Sequence, residues 1–399
     1  MKGSHGPCAQ SMFAFVVLLT TLCVPIQAAE MPQIEPQVKK ELTSYLKSHY
    51  MTPEDYVISK FKDHDIVILG EMHRIKHDPE LVQALIPLLH KRGIYTLAME
   101  VARREEQPMI DKLLNAPEYD EALARRIQFN MMTTWGFREY VDIYKAAWRL
   151  NHSLPKGARK FRILGLTDSM NWSLIKTEKD AADPEIRRKV LGNNSGEDQW
   201  AKVIMNEVVA KKEKALVYCG IHHGFSKYQQ PIYDEQNRKF VRFVTDRMGN
   251  HLFRAVGDRV MTIYLHAPWV PAEGYSAGFS VHPVDGVIDT IMTLVEPRYR
   301  RVGFDTHGTP FGRLPGSSFY KHGYEDFTLE VFCDGYIFQK PLGEYQGVTP
   351  IPGFINEVNI EQARTQSPDL AHRSASIEDL NREIAEDAAS GRVDIKTLR

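Results

Sequence analysis

The sequence predicts an α/β fold: a central, largely parallel sheet flanked by helices, with a Gly-, Pro- and aromatic-rich C-terminal elaboration. Three observations lead there. Between about residues 65 and 220, short β-branched or apolar runs alternate with stretches of helical periodicity, the pattern of strand–helix–strand units. Of the 399 residues, 43% are hydrophobic, 25% charged and 10% aromatic, which excludes disorder, collagen-like repeats and a multi-span membrane protein. Beyond residue 255 the texture changes, and residues 267–350 become dense in Gly, Pro and aromatic side chains, as long connecting loops are.

The chain opens on a targeting pattern. Lys2 supplies a positive start, Phe13–Val24 is an apolar stretch of about a dozen residues, too short to span a bilayer, and small residues follow at Ala28 and Ala29. The expectation is a secretory signal peptide over 1–28, which puts the mature protein in the periplasm or outside the cell with no integral span left. A retained anchor is the alternative. Cys23 follows Leu22 rather than a small residue, which argues against a lipoprotein anchor. With Cys8 and Cys23 in the leader, Cys219 and Cys333 remain, either as one disulfide or as buried thiols. There is no CxxC pair, so a cysteine-based zinc site is excluded.

After an N-terminal helical lead-in over 29–60, the core of 61–255 begins with a strand at Ile66–Leu69. Asp78-Pro79-Glu80 reads as N-cap, first-turn proline and acidic first turn of a helix. Its Leu81, Leu85, Leu88 and Leu89 recur at helical spacing, and Gly93 ends it. Tyr95–Met99 is the second strand, and helical patterns fill 103–150 with a break at Trp135-Gly136. Phe161–Leu164 is the third strand, 197–213 a helix and Ala215–Tyr218 the fourth strand. Residues 256–360 continue the same domain with strands at Arg259–Leu265 and Arg301–Phe304. Residues 361–399 read as a charged, solvated tail in which Ser376-Ile-Glu-Asp379 caps a surface helix running to about Ala389.

The polar residues fall where such a sheet keeps its chemistry. Open parallel sheets bind ligands beyond the carboxyl ends of their strands, where loops converge and helix N-termini point. The first strand runs into Gly70-Glu71-Met72-His73, the second ends at Glu100, the third leads to Asp168, and the fourth runs into Gly220-Ile221-His222-His223. Each has a plain structural reading: a hydrogen-bonded histidine, an acid facing a helix dipole at Glu100, a cap at Asp168. Their recurrence at one rim, with a glycine three residues before a histidine twice over, points instead to a functional cluster. His and Glu side chains within reach of one another share a proton, orient a water, or hold a divalent ion such as Zn, Mn or Fe. His222 is ambiguous beside His223, because neighbours on an extended chain face opposite ways.

Other chemistries have less to stand on. No GxSxG, P-loop or GxGxxG occurs. Lys and Arg (50) balance Asp and Glu (51), so no basic surplus points to nucleic acid. A weaker constellation, Asp305 and His307 within Phe304–Gly312, follows a later strand. His266 is a further candidate, and Arg298, Arg300 and Arg301 are either receivers of an anionic group or a solvated basic face.

Leu69–His73, Asp78–Leu89 and Leu97–Glu100 resemble the superfamily that joins erythromycin esterases, ChaN-type haem-binding lipoproteins, TraB-type proteins and Tiki metalloproteases. The pair Gly70…His73 and Gly220…His223, with Glu100 between, is similar to its signature. Trp135…Glu139…Ala147–Asn151 and Phe161–Gly165…Asp168 are similar to the esterase branch. The likeness spans roughly residues 60–230 and implies a shared α/β fold with the site at this rim. Resemblance to the esterases implies that His73 is the base activating water, supported by Glu100 and His223. Resemblance to Tiki implies the same three residues as ligands of a divalent metal, and resemblance to ChaN implies a haem site. The expectation is an exported hydrolase acting on an ester or amide of a small-molecule or peptide substrate by activated water, possible with or without a metal. His73, Glu71, Glu100 and His223 carry it, with Arg162 and Asp168 behind them. The alternative is a haem- or metal-binding periplasmic protein of the ChaN type without catalysis.

Overall fold

The computed structural model describes residues 31–192, 196–393 and 395–398; the expected signal peptide, with Cys8 and Cys23, lies outside them. At its centre is a seven-stranded sheet made of β1 (Ile66–Glu71), β2 (Thr96–Arg103), β3 (Arg162–Thr167), β4 (Ala215–Gly220), β7 (Val260–Leu265), β8 (Val302–Asp305) and β9 (Gly335–Phe338). The strand order is β3-β2-β4-β1-β7-β9-β8. Strands β5 (Pro231–Asp234) and β6 (Lys239–Phe243) form a separate hairpin. All neighbours in the large sheet are parallel except the edge strand β8, which runs antiparallel to β9. The α/β expectation holds.

Burial on both faces explains why the strands read as unbroken apolar runs. All six residues of β1 are buried between β4 and β7. The alternation of its side chains sends Val67 and Leu69 into a core shared with Leu85 and Ile86 of the helix His77–Lys91 and Tyr140 and Tyr144 of the helix Arg138–Ser153. Ile66 and Ile68 enter the opposite core, with Ile204 of the helix Glu197–Glu207 and Leu252 of the helix Met248–Val256. Each of these aliphatic side chains contributes about 1.5–3 kcal/mol by leaving water.

The differences from the sequence reading have local causes. The parallel strands extend beyond their apolar runs, so β2 reaches Arg103 and Glu100 lies within a strand instead of opening a helix. The helix expected to be capped by Asp78 starts at His77; Asp78 is buried in its first turn, accepts from Gln339 Nε2 at 3.0 Å, and burial pushes its carboxyl well above the usual carboxylate range. The 197–213 helix stops at Glu207 and ends in a tighter turn at Val209–Lys211. Neither β9 nor the helix Met248–Val256 was legible, since four strand residues among aromatic loops carry no period.

Cys219 and Cys333 are free and both buried, so no disulfide joins them. Cys219 lies on β4 and Cys333 precedes β9, with β1 and β7 between those strands. Three interstrand spacings amount to about 14 Å, well beyond the reach of a disulfide. The C-terminal helix Ile377–Ala389 does start at a Ser376–Asp379 capping box. It is not solvated all round, however: Leu380, Ile384 and Ala388 enter the same core as Val67 and Leu69. Among the described residues no helix is long and apolar enough to cross a membrane.

Candidate active site

The carboxyl ends of β1, β2 and β4 bring His73, Glu100 and His223 together. Glu71, the last residue of β1, is 1% exposed, and its carboxylate is held by three donors. His73 Nδ1 lies 2.7 Å from Oε1, the Tyr140 hydroxyl donates to Oε1 at 2.9 Å, and the Tyr218 hydroxyl donates to Oε2. Burial and the Glu71 charge push both phenols well above their ordinary range, so they remain donors. With Nδ1 committed to Glu71, the other ring nitrogen of His73 is 3.7 Å from Glu100 Oε1.

Glu100 reaches this position because β2 leaves its regular register with β3 between Met99 and Arg103, an irregularity that re-aims a side chain. The same Oε1 lies 3.4 Å from His223 Nε2, and Oε2 accepts from the Gly220 amide at 2.6 Å. Gly220 is required there: a Cβ would stand 2.9 Å from His73 Nε2. This is the physical content of the second GxxH glycine. On its far side His223 Nδ1 is 3.0 Å from Glu197 Oε1, itself paired with Arg247 at 2.7 Å. Two tryptophans brace the imidazoles, Trp135 edge-on to His73 at 5.2 Å and Trp200 against His223 at 4.9 Å.

The charges favour protonated rings. Burial alone would lower the pKa of His73, but Glu100 and the Glu71 hydrogen bond overcome it and raise the value to about 9. His223 is raised in the same way, burial being outweighed by Glu100 and Glu197. Burial would raise Glu197, yet its His223 and Arg247 partners hold it below the usual carboxylate value. A folded pKa near 9 against 6.5 for a free histidine stabilises the fold fully below about pH 6.5, and that contribution is lost as pH rises through 9. The unfolding midpoint is therefore expected to fall more steeply between pH 6.5 and 9 in the wild type than in His73→Gln, as thermal melts across that range would show. Parallel curves would refute the assignment.

All three side chains open into one cleft of about 950 Å³. Its walls are mostly apolar: Phe129, Met131, Trp135, Trp172 and Trp200. The C-terminal region closes part of it. Gln362, Gln366 and Pro368 line the cleft, and Arg373 donates to the carbonyls of Trp172 at 3.0 Å and Ile175 at 2.9 Å. The segment 346–351 also stitches together the two loops that carry His73 and Trp135. Val348 donates to the Arg74 carbonyl at 3.1 Å, and Ile351 to that of Gly136 at 2.8 Å. Arg74, directly after His73, has φ 72°, a left-handed conformation that is strained for a non-glycine residue. It is held by the Tyr140 hydroxyl on its amide at 3.0 Å and by Asp387 on its guanidinium at 3.1 Å.

The remaining candidates lie elsewhere or are occupied. Arg162 opens β3, so the length of that strand, about 17 Å at 3.3 Å per residue, separates it from the rim. There it binds Glu207 at 3.1 Å and plays no part in this site. Asp168 lines the cleft, but its carboxylate is consumed by Arg104, the Gly196 amide at 3.0 Å and Trp200 Nε1 at 3.2 Å, which makes it a support for the wall. His222 turns away toward the Tyr320 hydroxyl at 3.2 Å, and burial followed by Arg247 lowers it to about 4. Asp305 ends an antiparallel strand opposite Gly335, at the amino end of β9, and His307 pairs with Asp334 at 3.1 Å. His266 is buried against Asp289 at 3.2 Å, and Arg298 and Arg301 pair with Glu296 and Glu54. Glu197, Tyr140, Tyr218, Trp172 and Trp200 were not singled out from the sequence, and Trp135 entered only as a helix break and through its likeness to the esterase branch; in one dimension Glu197 is an ordinary helix-start acid and Tyr218 an ordinary strand residue.

Among the described residues no three His, Cys, Asp or Glu side chains are arranged to hold a metal ion, so the geometry does not carry the divalent-metal expectation for His73, Glu100 and His223. For a haem, the cleft supplies volume and apolar walls. Its two imidazoles face Glu100, and either would release a proton before serving as an axial ligand.

Residues 57–157 match the family described as haem-binding uptake, Tiki superfamily, ChaN. The match contains the first GxxH motif and Glu100, and the superfamily resemblance read from the sequence is borne out. No curated protein sequence matches the chain. Among solved structures, a succinoglycan biosynthesis protein is similar in fold at 12% identity and TM-score 0.50, over 77% of this chain and 98% of that one. An erythromycin esterase mutant in its open conformation matches at 11% identity and TM-score 0.40, over 70% of this chain and 91% of its own. ChaN of Campylobacter jejuni, described with cofacial haem, matches at 16% identity and TM-score 0.34, over 56% and 89%.

Proposed function

We propose that this chain, a ChaN/Tiki-superfamily protein over the stretch carrying its first GxxH motif, is a hydrolase that cleaves an ester or amide of a small-molecule or peptide substrate by activated water. One observation carries the reading: His73 is backed at Nδ1 by the buried Glu71 carboxylate while its other nitrogen faces Glu100 beside an open cleft. A carboxylate behind one ring nitrogen fixes the tautomer and leaves the other for proton transfer.

In the proposed reaction, His73 first gives its Nε2 proton to solvent and keeps Nδ1–H on Glu71. Nε2 then takes a proton from the water that attacks the substrate carbonyl. The imidazolium so formed is stabilised by Glu71 and Glu100, and it returns the proton to the leaving oxygen or nitrogen as the carbonyl re-forms. His223, with Nδ1 toward Glu197, stabilises the oxyanion as a hydrogen-bond donor from Nε2. The leader-like residues 1–28 support a periplasmic or secreted location, which cell fractionation tests.

The pH profile distinguishes the base. Because His73 must lose a proton from a value of about 9, kcat/KM for a nitrophenyl ester should climb with pH and level off only above about 9. A rising limb complete by pH 5 would assign the base to a carboxylate and remove His73 from that role. Haem binding without catalysis is the second reading, favoured by the family match and the apolar walls. It requires a Soret shift on haem titration that His223→Ala or His73→Ala abolishes, together with no ester turnover at any pH.

A further inference from the structure

A second cavity, of about 890 Å³, lies at the opposite end of the sheet, where the turns enter the strands. Each of the four adjoining strands is preceded by a cation that lines it: Lys62 before β1, Arg92 before β2, Arg159 before β3, and Lys212 and Lys214 before β4. Against these five stand two acids, Asp55 and Glu213, a local surplus of three positive charges on a chain whose net charge is -1. The helices Pro53–Lys60 and His77–Lys91 end here, and their last-turn Lys60 and Lys91 answer the negative ends of the dipoles. Arg92 and Lys62 lie just past those helix ends, where the dipoles still favour a cation, whereas Lys212 follows only the short turn Val209–Lys211.

Their neighbours are already engaged. Arg159 pairs with Glu213 at 2.5 Å and stacks on the Tyr95 ring at 4.4 Å. Lys214 donates to the carbonyls of Phe61 at 2.5 Å and His64 at 3.2 Å. Asp55 accepts from the Thr52 hydroxyl at 2.9 Å. Lys62, Arg92 and Lys212 form no ion pair among the described residues and all three are exposed. Lys212 holds φ 56°, a left-handed conformation that glycine would adopt without strain. Between the cations the lining is apolar, with Met51, Ile58, Phe61 and Ile94.

We propose that this cavity binds a phosphate-bearing ligand with an apolar or aromatic body, the phosphate on Lys62, Arg92 and Lys212 and the body on the apolar lining. Three uncommitted cations suit a polyvalent oxyanion better than a single carboxylate, and the guanidinium adds a forked contact to phosphate oxygens. The chemistry is shared by soluble aryl or alkyl phosphates and by lipid headgroups. The site is independent of the hydrolase reading.

Calorimetry on the full chain with naphthyl phosphate and with naphthol, beside co-sedimentation with phosphatidylglycerol-containing and pure phosphatidylcholine vesicles, tests it. Naphthyl phosphate should bind roughly tenfold or more tighter than naphthol, and the preference should shrink with salt. Lys62→Gln/Arg92→Gln/Lys212→Gly should weaken naphthyl phosphate by a similar factor with an unchanged unfolding midpoint. Binding to the anionic vesicles alone, lost in the triple variant, assigns the ligand to a lipid; naphthyl phosphate binding without vesicle binding assigns a soluble ester. Equal affinity for phosphate and alcohol, wild-type affinity in a folded triple variant, or no binding to either probe would overturn the proposal.

Discussion

His73→Gln is expected to lower kcat/KM for a model ester by about 10²–10⁴-fold, the usual loss when a positioned acid–base group is removed. Glutamine spares the surroundings: its amide can still donate to Glu71, which keeps its Tyr140 and Tyr218 donors, so the unfolding midpoint should stay within a few degrees. What disappears is titration. The residual rate of the variant should therefore lose the rising limb near pH 9. Glu71→Gln tests the same unit from behind, because an amide at that position no longer enforces the Nδ1–H tautomer. Its loss and that of His73→Gln should not add in the double variant, since residues that act as a unit fail together. Full activity in a folded His73→Gln protein would end the hydrolase reading.

The second large effect is expected at a residue far from His73 along the chain. Gly391 packs directly on the Arg74 carbonyl, where a Cβ would overlap that backbone. Gly391→Ala must push away the left-handed turn that follows His73, and a displacement near 1 Å at a reacting group can cost about 10²-fold in rate. The loss should fall mainly on kcat, because, of the cleft's apolar wall, only Trp135 packs on this turn, against the Arg74 guanidinium at 5.1 Å, whereas His73 is carried by it directly. Ser390→Ala, whose hydroxyl only caps the Asp387 carbonyl at 2.6 Å, is the control and should behave as wild type. If Gly391→Ala matched it, the clamp on Arg74 would be irrelevant to catalysis.

The parallel core and the rim were legible in the sequence because both have local signatures. β1, β2 and β4 are apolar runs whose ends hold the two GxxH motifs and Glu100, and a parallel sheet puts strand ends on one side. The same rule explains the error over Arg162, which stands at the start of its strand; a strand needs its direction as well as its existence to place a side chain. Asp168 was drawn to the cleft correctly, but its three partners come from Arg104, Gly196 and Trp200, contacts no spacing reveals. Glu197 was invisible because its relation to His223 exists only in three dimensions. The C-terminal helix was misjudged as solvated for a similar reason: its few apolar residues, Leu380, Ile384 and Ala388, form a narrow stripe in a charged segment.

The stitching of the His73 turn by residues near 348, 387 and 391 bears on how the molecule matures. Until its last fifty or so residues are in place, the polypeptide carries the imidazole on an unpinned turn between β1 and the helix His77–Lys91. Contacts this distant along the chain are the slow ones to form. Competence for chemistry is thus acquired only when the C-terminal residues join the core they share with Val67 and Leu69, and a polypeptide clipped before them should be inert.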